Sequence, residues 1–289
     1  MKVSCIPLDF LGAIAEGKAS VEEWAAMAGK LELDGVEFYM GFVPGREPEA
    51  VQRAARLFTD RGLSISMLTG YSDFIHPDAE ERERQIREVK EQIDLAALIG
   101  APYVRLTPAG RRHSQIAYRQ KVAMYEKYKF PDGKPPSDFR SIPYEQALKW
   151  AGDGLRECVA YAASKGRVIA LEDHPPFGCT IREFTDVLDA TGDPRLKVNL
   201  DTSNVMEAGE GAVELTEIVA DRVVHVHASD RDAALEHVVT GEGVVDFPGV
   251  FRILKEHGFD GWLSPEAVGT SEEKLARALG NVRRMWEQA

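Results

Sequence analysis

Cysteine is scarce in this chain of 289 residues. There are three, Cys5, Cys158 and Cys179, with no close pairing between them. An odd, sparse count argues against a disulfide scaffold and is the usage expected in a reducing cytoplasm. Long apolar runs are also missing. No stretch approaches about 18 apolar residues, so no membrane-spanning helix is expected. The opening MKVSCIPLDFLGAIAEGKAS has one early Lys and a short apolar patch, but Pro7, Asp9 and Glu16 interrupt it. KVSCIPL therefore reads as a first strand rather than a leader. Basic charge is outnumbered: 35 Lys and Arg stand against 47 Asp and Glu, a formal net charge of -12. Neutralising phosphates takes clustered cations, so this balance disfavours a general nucleic-acid-binding role. A glycine-rich phosphate turn is absent as well. Ile6-Pro7-Leu8-Asp9 stands after the first strand, where a doubly wound nucleotide-binding sheet would carry its glycines.

What is present is alternation. Apolar residues make up 44% and charged residues 28%, the mix of a folded globular chain. Strand candidates fall at 2–7, 35–39, 63–70, 102–110, 167–174, 195–204, 222–230 and 262–267. Helix candidates follow each of them, at 20–35, 47–62, 79–101, 144–166, 180–193, 211–221, 246–261 and 271–289. Ser20 with Glu23, and Thr180 with Glu183, carry the spacing of capping boxes. Eight strand–helix units are the count of a (β/α)₈ TIM barrel, and chains of this length often form one such barrel as a single domain, here 1–289. One segment breaks the rhythm. Residues 111–142 after the fourth strand are rich in Arg, Lys, Tyr and Pro. A loop this long inside a compact domain is usually functional; here it is expected to be an inserted lid or an oligomer contact.

Four of the late strands end on chemistry. Glu172 in VIALEDH, Asp201 in KVNLDTSN, His227 in VVHVHASD and Glu266 in WLSPEA each sit at or just past a strand's C-terminal end. Each spacing between them matches one strand–helix step, so strands five to eight would donate one group apiece at the face where barrels carry active sites. Singly, each has an ordinary explanation: a helix cap, an Asx turn, a core histidine, a solvated carboxylate. Jointly, buried carboxylates need a cation or a partner. Oxygen-rich ligation with one imidazole suits Mn²⁺ first, with Mg²⁺, Co²⁺ and Zn²⁺ as alternatives. Neighbours suited to contact a substrate are His174, Asn204, Asp230, Arg231 and His237. Arg105 joins them if it points inward, where it would meet an anionic group.

With these residues in place, the chain resembles the xylose isomerase-like barrel superfamily, in particular its sugar phosphate isomerase/epimerase branch. SDFIHPDAEERERQIREVKEQIDLAALIGAPYVRL is similar to the family's third and fourth units. ALEDH, NLDTSN, HVHASD, GEGVVDFPGV and SPEA follow as its late motifs in the same order. The resemblance implies that Glu172, Asp201, His227 and Glu266 bind one divalent metal, and that Glu172 and Glu266 also carry protons next to a substrate carbonyl. The implied activity is isomerisation or epimerisation of a keto-sugar or related polyol. The alternative is dehydration or elimination on a keto-sugar or keto-cyclitol, with His174, His237 or a lid residue as the acid. The Gly178-Cys179-Thr180 stretch and the 111–142 insertion depart from a minimal isomerase. The superfamily's abasic-site endonucleases need a further His where Asn204 stands and an Asp where Leu235 stands, two before His237. A non-catalytic sugar-binding subunit is a further reading. A small sugar or polyol substrate, no nucleic acid, no membrane and assembly as a homo-oligomer are expected.

Overall fold

The computed structural model describes residues 1–43, 46–109, 142–175, 177–266 and 271–289. The first half runs β1 (Lys2–Val3), α1 (Leu8–Ala15), α2 (Val21–Lys30), β2 (Gly35–Tyr39), α3 (Pro48–Thr59), β3 (Ser64–Thr69), α4 (Ala79–Ile99) and β4 (Tyr103–Leu106). The second half runs α5 (Tyr144–Ser164), β5 (Val168–Glu172), α6 (Ile181–Thr191), β6 (Lys197–Asp201), α7 (Ala212–Val219), β7 (Val223–Ala228), α8 (Phe247–Glu256), β8 (Trp262–Pro265) and α9 (Glu272–Gln288). The strands pair in parallel in chain order, and β1 pairs with β8. Asp34 N donates to Val3 O at 3.0 Å and Glu37 N to Cys5 O at 3.2 Å, which carries the ring across the β1–β2 seam. This is the (β/α)₈ TIM barrel that the strand–helix count predicts.

Local chemistry sets the element ends. Ser20 and Glu23 close a full capping box at α2. At α6 only half of the expected box forms. Thr180 accepts from Glu183 N at 3.0 Å, but the Glu183 carboxylate turns to Gly178 N at 3.1 Å. Gly100 and Gly192 end α4 and α6 with φ of 78° and 62°, a left-handed turn that a Cβ would oppose. The first strand is shorter than its 2–7 pattern suggests. Pro7 has no N–H for a ladder and serves instead as the N-cap of α1, a helix the apolar pattern hid. The strand-like 222–230 pattern ends at Ala228. Asp230–Arg231 then pairs antiparallel with His237–Val238 as a small hairpin. The 111–142 insertion lies outside the described residues except for Ile142, which packs against the core.

Two cores result. Val104, Leu106, Leu171, Val198, Leu200 and Val226 pack outward under the helices with Phe184, Phe251 and Leu254. The alternate strand positions face the barrel axis and are polar: Glu37, Thr69, Arg105, Glu172, Asn199, Asp201, His225, His227 and Ser264 are all buried. A polar lumen is stable only if its groups satisfy one another, and here they do so around His227. Among the described residues no helix is long and apolar enough to cross a membrane.

Candidate metal centre

Strand register brings the four late residues together. Asp201 lies opposite His227, and Ser264 lies opposite His227 on the other flank. Glu172 ends β5 opposite Asn199, and Glu266 follows β8 directly. Each of Glu172, Asp201, His227 and Glu266 offers a ligand atom within 4.8 Å of the others, and all four are buried. His227 Nδ1 lies 2.7 Å from Glu172 Oε1 and 3.5 Å from Glu266 Oε1. Glu172 is 1% exposed and Glu266 9%, so Glu266 is the more open of the two carboxylates. Three carboxylates and an imidazole converging in a buried lumen are a donor set that fits one divalent cation.

The strands fix these groups from behind. Arg105 faces inward from β4, pairs with Glu172 Oε2, and also reaches Gly70 O at 3.4 Å. Its charge therefore goes to a site carboxylate in this structure. Asp201 Oδ1 accepts from Ser203 N at 2.7 Å and Asn204 N at 3.0 Å, an Asx turn that holds the carboxylate at the strand end. Asp173 Oδ1 accepts from Asp201 N at 2.7 Å.

The remaining sequence candidates take separate places. Asn204 is buried beside Asp201, and its amide nitrogen has no partner among the described residues. Asp230 accepts four backbone N–H groups, from Arg231, Gly241, Gly243 and Val245, at 2.9 to 3.2 Å. It organises the 241–245 turn. Arg231 is tied to Glu207 Oε1 at 2.8 Å, Ser203 Oγ at 3.2 Å and Leu235 O at 2.8 Å. His237 Nδ1 lies 3.2 Å from Ser229 Oγ. His174 Nδ1 contacts Pro175 O, and because β5 ends at Glu172, period-two alternation no longer governs where His174 points.

Three lumen residues went unread in the sequence. Glu37 is 0% exposed on β2, and its Oε2 lies 3.1 Å from His227 Nε2 and accepts from Thr69 Oγ1 at 3.0 Å. Asn199 Oδ1 lies 2.8 Å from His225 Nδ1, and Asn199 Nδ2 lies 3.2 Å from His227 Nδ1. Asp173 is the third. A carboxylate at the centre of the apolar run GVEFY was the available signal for Glu37.

Charge is crowded here, and proton affinities move accordingly. Burial pushes Asp201 up, and the Glu266 charge adds to it. Burial and the Asp201 charge push Asp173 well above its ordinary value. Burial pushes Glu37 up too, but the His227 and His225 charges and hydrogen bonds outweigh it and bring it to about 2. Burial lowers His225 to about 3. Burial also works against charged His227, yet Glu37, Glu266 and Asp201 together raise its pKa.

A pH dependence follows for the metal-free protein. A raised histidine contributes stability that is full below its unfolded value of 6.5 and is lost as pH climbs through the folded value. The Asp201 contribution fades in the same direction, from 3.8 through about 6. His225 and Glu37 act oppositely, but His225 does so between about 3 and 6.5, and Glu37 between about 2 and 4.5. Thermal scans with chelator present should therefore show a falling Tm above about pH 6.5. A flat or rising Tm there would reject this balance.

A parallel barrel with such a cluster at the C-terminal ends of its strands defines the class of TIM barrels with a candidate metal centre. A family model described as xylose isomerase-like TIM barrel matches residues 23–285, and the chain belongs to that family. Among curated proteins it is similar to the inosose dehydratase of Clostridium beijerinckii, 29% identical over 142 residues, 43% of this chain and 48% of that one. The chain spans about half the length of the first curated relatives it matches. Among solved structures, a D-tagatose 3-epimerase-like protein superposes with a TM-score of 0.73 at 18% identity, covering 100% of this chain and 99% of that one. The IOLI protein, crystallised with a zinc atom, superposes with a TM-score of 0.71 at 18% identity, over 99% and 96% of the two chains.

Proposed function

We propose that this protein is a metal-dependent dehydratase acting on a keto-cyclitol or closely related keto-sugar. The convergence of Glu172, Asp201, His227 and Glu266 in a buried lumen carries the reading. Relatives named inosose dehydratase support elimination over the isomerisation that the sequence motifs put first. The IOLI structure, which shares this fold, holds a zinc atom, and that supports a cation in this barrel. A donor set of three carboxylates and one imidazole accepts Mn²⁺, Mg²⁺, Co²⁺ or Zn²⁺, and Mn²⁺ is the first to test.

When bound, the cation supplies Lewis-acid polarisation of the substrate carbonyl. The chain's own groups move the protons. One member of the Glu172–Glu266 pair takes the proton from the carbon beside the carbonyl. The electron pair left behind forms a carbon–carbon double bond as the β-hydroxyl departs. The other carboxyl, or half-exposed His174 or His237, delivers a proton to that hydroxyl, so the net loss is one water. The Glu172–Arg105 pair keeps Glu172 oriented while this happens, and the Asn204 amide offers a hydrogen bond to a substrate hydroxyl.

Epimerisation is the second reading. The placement of Glu172 and Glu266 together beside one imidazole nitrogen favours it, since the second carboxyl can return the proton to carbon. An inosose incubated with the Mn²⁺-loaded protein in D₂O separates the two. Loss of one water with a new enone absorbance is expected. Conserved mass with deuterium at the α-carbon would replace dehydration by epimerisation, and no turnover across keto-cyclitols and keto-sugars would reject both.

A further inference from the structure

His227 is held on two sides. Its Nδ1 faces Glu172 and Glu266, while Nε2 faces Glu37 Oε2 at 3.1 Å from across the barrel. Glu37 is itself fixed. Thr69 Oγ1 donates to Oε2 at 3.0 Å and Ser264 Oγ donates to Oε1, and His225 Nε2 stands 3.8 Å from Oε1. His225 is in turn set by Asn199 Oδ1 at 2.8 Å from its Nδ1. Glu37, Thr69, Ser264, His225 and Asn199 come from β2, β3, β8, β7 and β6, and all are buried. A fully buried carboxylate is costly unless it is paired, so its presence among these donors asks for a function.

We infer that Glu37 is a positioning residue for the metal centre: by accepting the Nε2–H of His227, it fixes that tautomer, aims the Nδ1 lone pair into the Glu172–Asp201–Glu266 cluster, and strengthens it as a ligand. The inference rests on the metal-centre reading above and adds a residue that is not among the four ligands. The physical basis is general. An imidazole ligand has one nitrogen for the cation and one N–H, and a carboxylate on that N–H both orients the ring and raises its basicity. The register makes the assignment specific, because Ser264, the donor to Glu37, is the β8 partner of His227 itself.

Glu37, His225 and His227 also form a second three-residue group with ligand atoms within 4.8 Å of one another. As a second cation site it is the weaker reading. The two oxygens of Glu37 already receive the hydroxyls of Thr69 and Ser264 and face the Nε2 of His227.

Glu37→Gln tests the inference with little change in shape, since an amide oxygen still accepts the N–H but the charge is gone. Co²⁺ and Mn²⁺ titrations followed by calorimetry, with Co²⁺ visible absorption as the ligand-field signature, need no substrate. The expected result is one ion per chain in the wild type. In the variant, affinity falls by about 10- to 100-fold, with shifted Co²⁺ bands and a metal-free protein that still melts cooperatively. If that variant fails to fold, Ser264→Ala removes one donor to Glu37 and should weaken Co²⁺ binding by roughly 2- to 10-fold. Wild-type affinity and an unshifted Co²⁺ spectrum in the folded variants would overturn the role of Glu37 and leave the metal centre standing. Two ions in the wild type, with one lost in Glu37→Gln, would overturn it in favour of a second cation site. No ion bound by the wild type would overturn the inference and the metal centre together.

Discussion

Glu172→Gln is expected to lower the proposed dehydratase turnover by about 10²- to 10⁴-fold, the range lost when a positioned proton carrier is removed, while the barrel stays folded. The amide keeps one oxygen for Arg105 and one polar atom near His227 Nδ1, so the lumen retains its shape. It cannot take a proton from carbon, and it leaves the buried Arg105 charge without its anion. A lower Tm should therefore accompany the kinetic loss, because a buried charge stripped of its partner is destabilising. Product formation and α-deuterium exchange should fall together if Glu172 is the base. Exchange that persists while water loss stops would make Glu172 the acid instead. Full activity in a folded Glu172→Gln protein would remove Glu172 from the chemistry.

The second large effect is on metal affinity. Asp201→Ala should weaken binding of Mn²⁺ or Co²⁺ by more than about 100-fold. A loss of that size removes about 2.7 kcal/mol of ligand-linked stabilisation, so the Tm rise produced by added metal should largely vanish. Asp201 also accepts the N–H groups of Ser203 and Asn204, which complicates the alanine variant. Asp201→Asn separates the two effects, since its amide oxygen keeps the turn while its charge is gone. If metal content by elemental analysis stays at wild-type level in both variants, Asp201 is not a ligand. If only the alanine variant loses metal, the turn matters more than the charge.

How much of this was readable beforehand depended on whether the signal was local. The late strands announced themselves because each short apolar run ended on a carboxylate or an imidazole: Glu172 after VIAL, Asp201 after KVNL, His227 after VVHV. A barrel places all strand ends on one face, so the count of strand–helix units was enough to predict that these groups share a face. The early strands gave less. Glu37 sits inside GVEFY rather than at its end, and a single central carboxylate does not say which of the other strands' side chains it meets. Arg105 was equally ambiguous between lumen and helix layer, since alternation gives two faces without saying which is which. Asp230 looked like a group facing the site because it follows His227 by three residues. The backbone turns at Ser229 into the hairpin, and four N–H groups collect its oxygens.

The sequence by itself determined the eight-unit architecture and the four groups gathered at the mouth, because periodicity, capping and strand-end chemistry are properties of neighbouring residues. Only the tertiary structure decided which strand positions face the axis, that Arg105 is committed to Glu172, and that Glu37 reaches His227 from the opposite wall. Those contacts join residues 67 and 190 positions apart. They depend on ring closure, which no local pattern encodes.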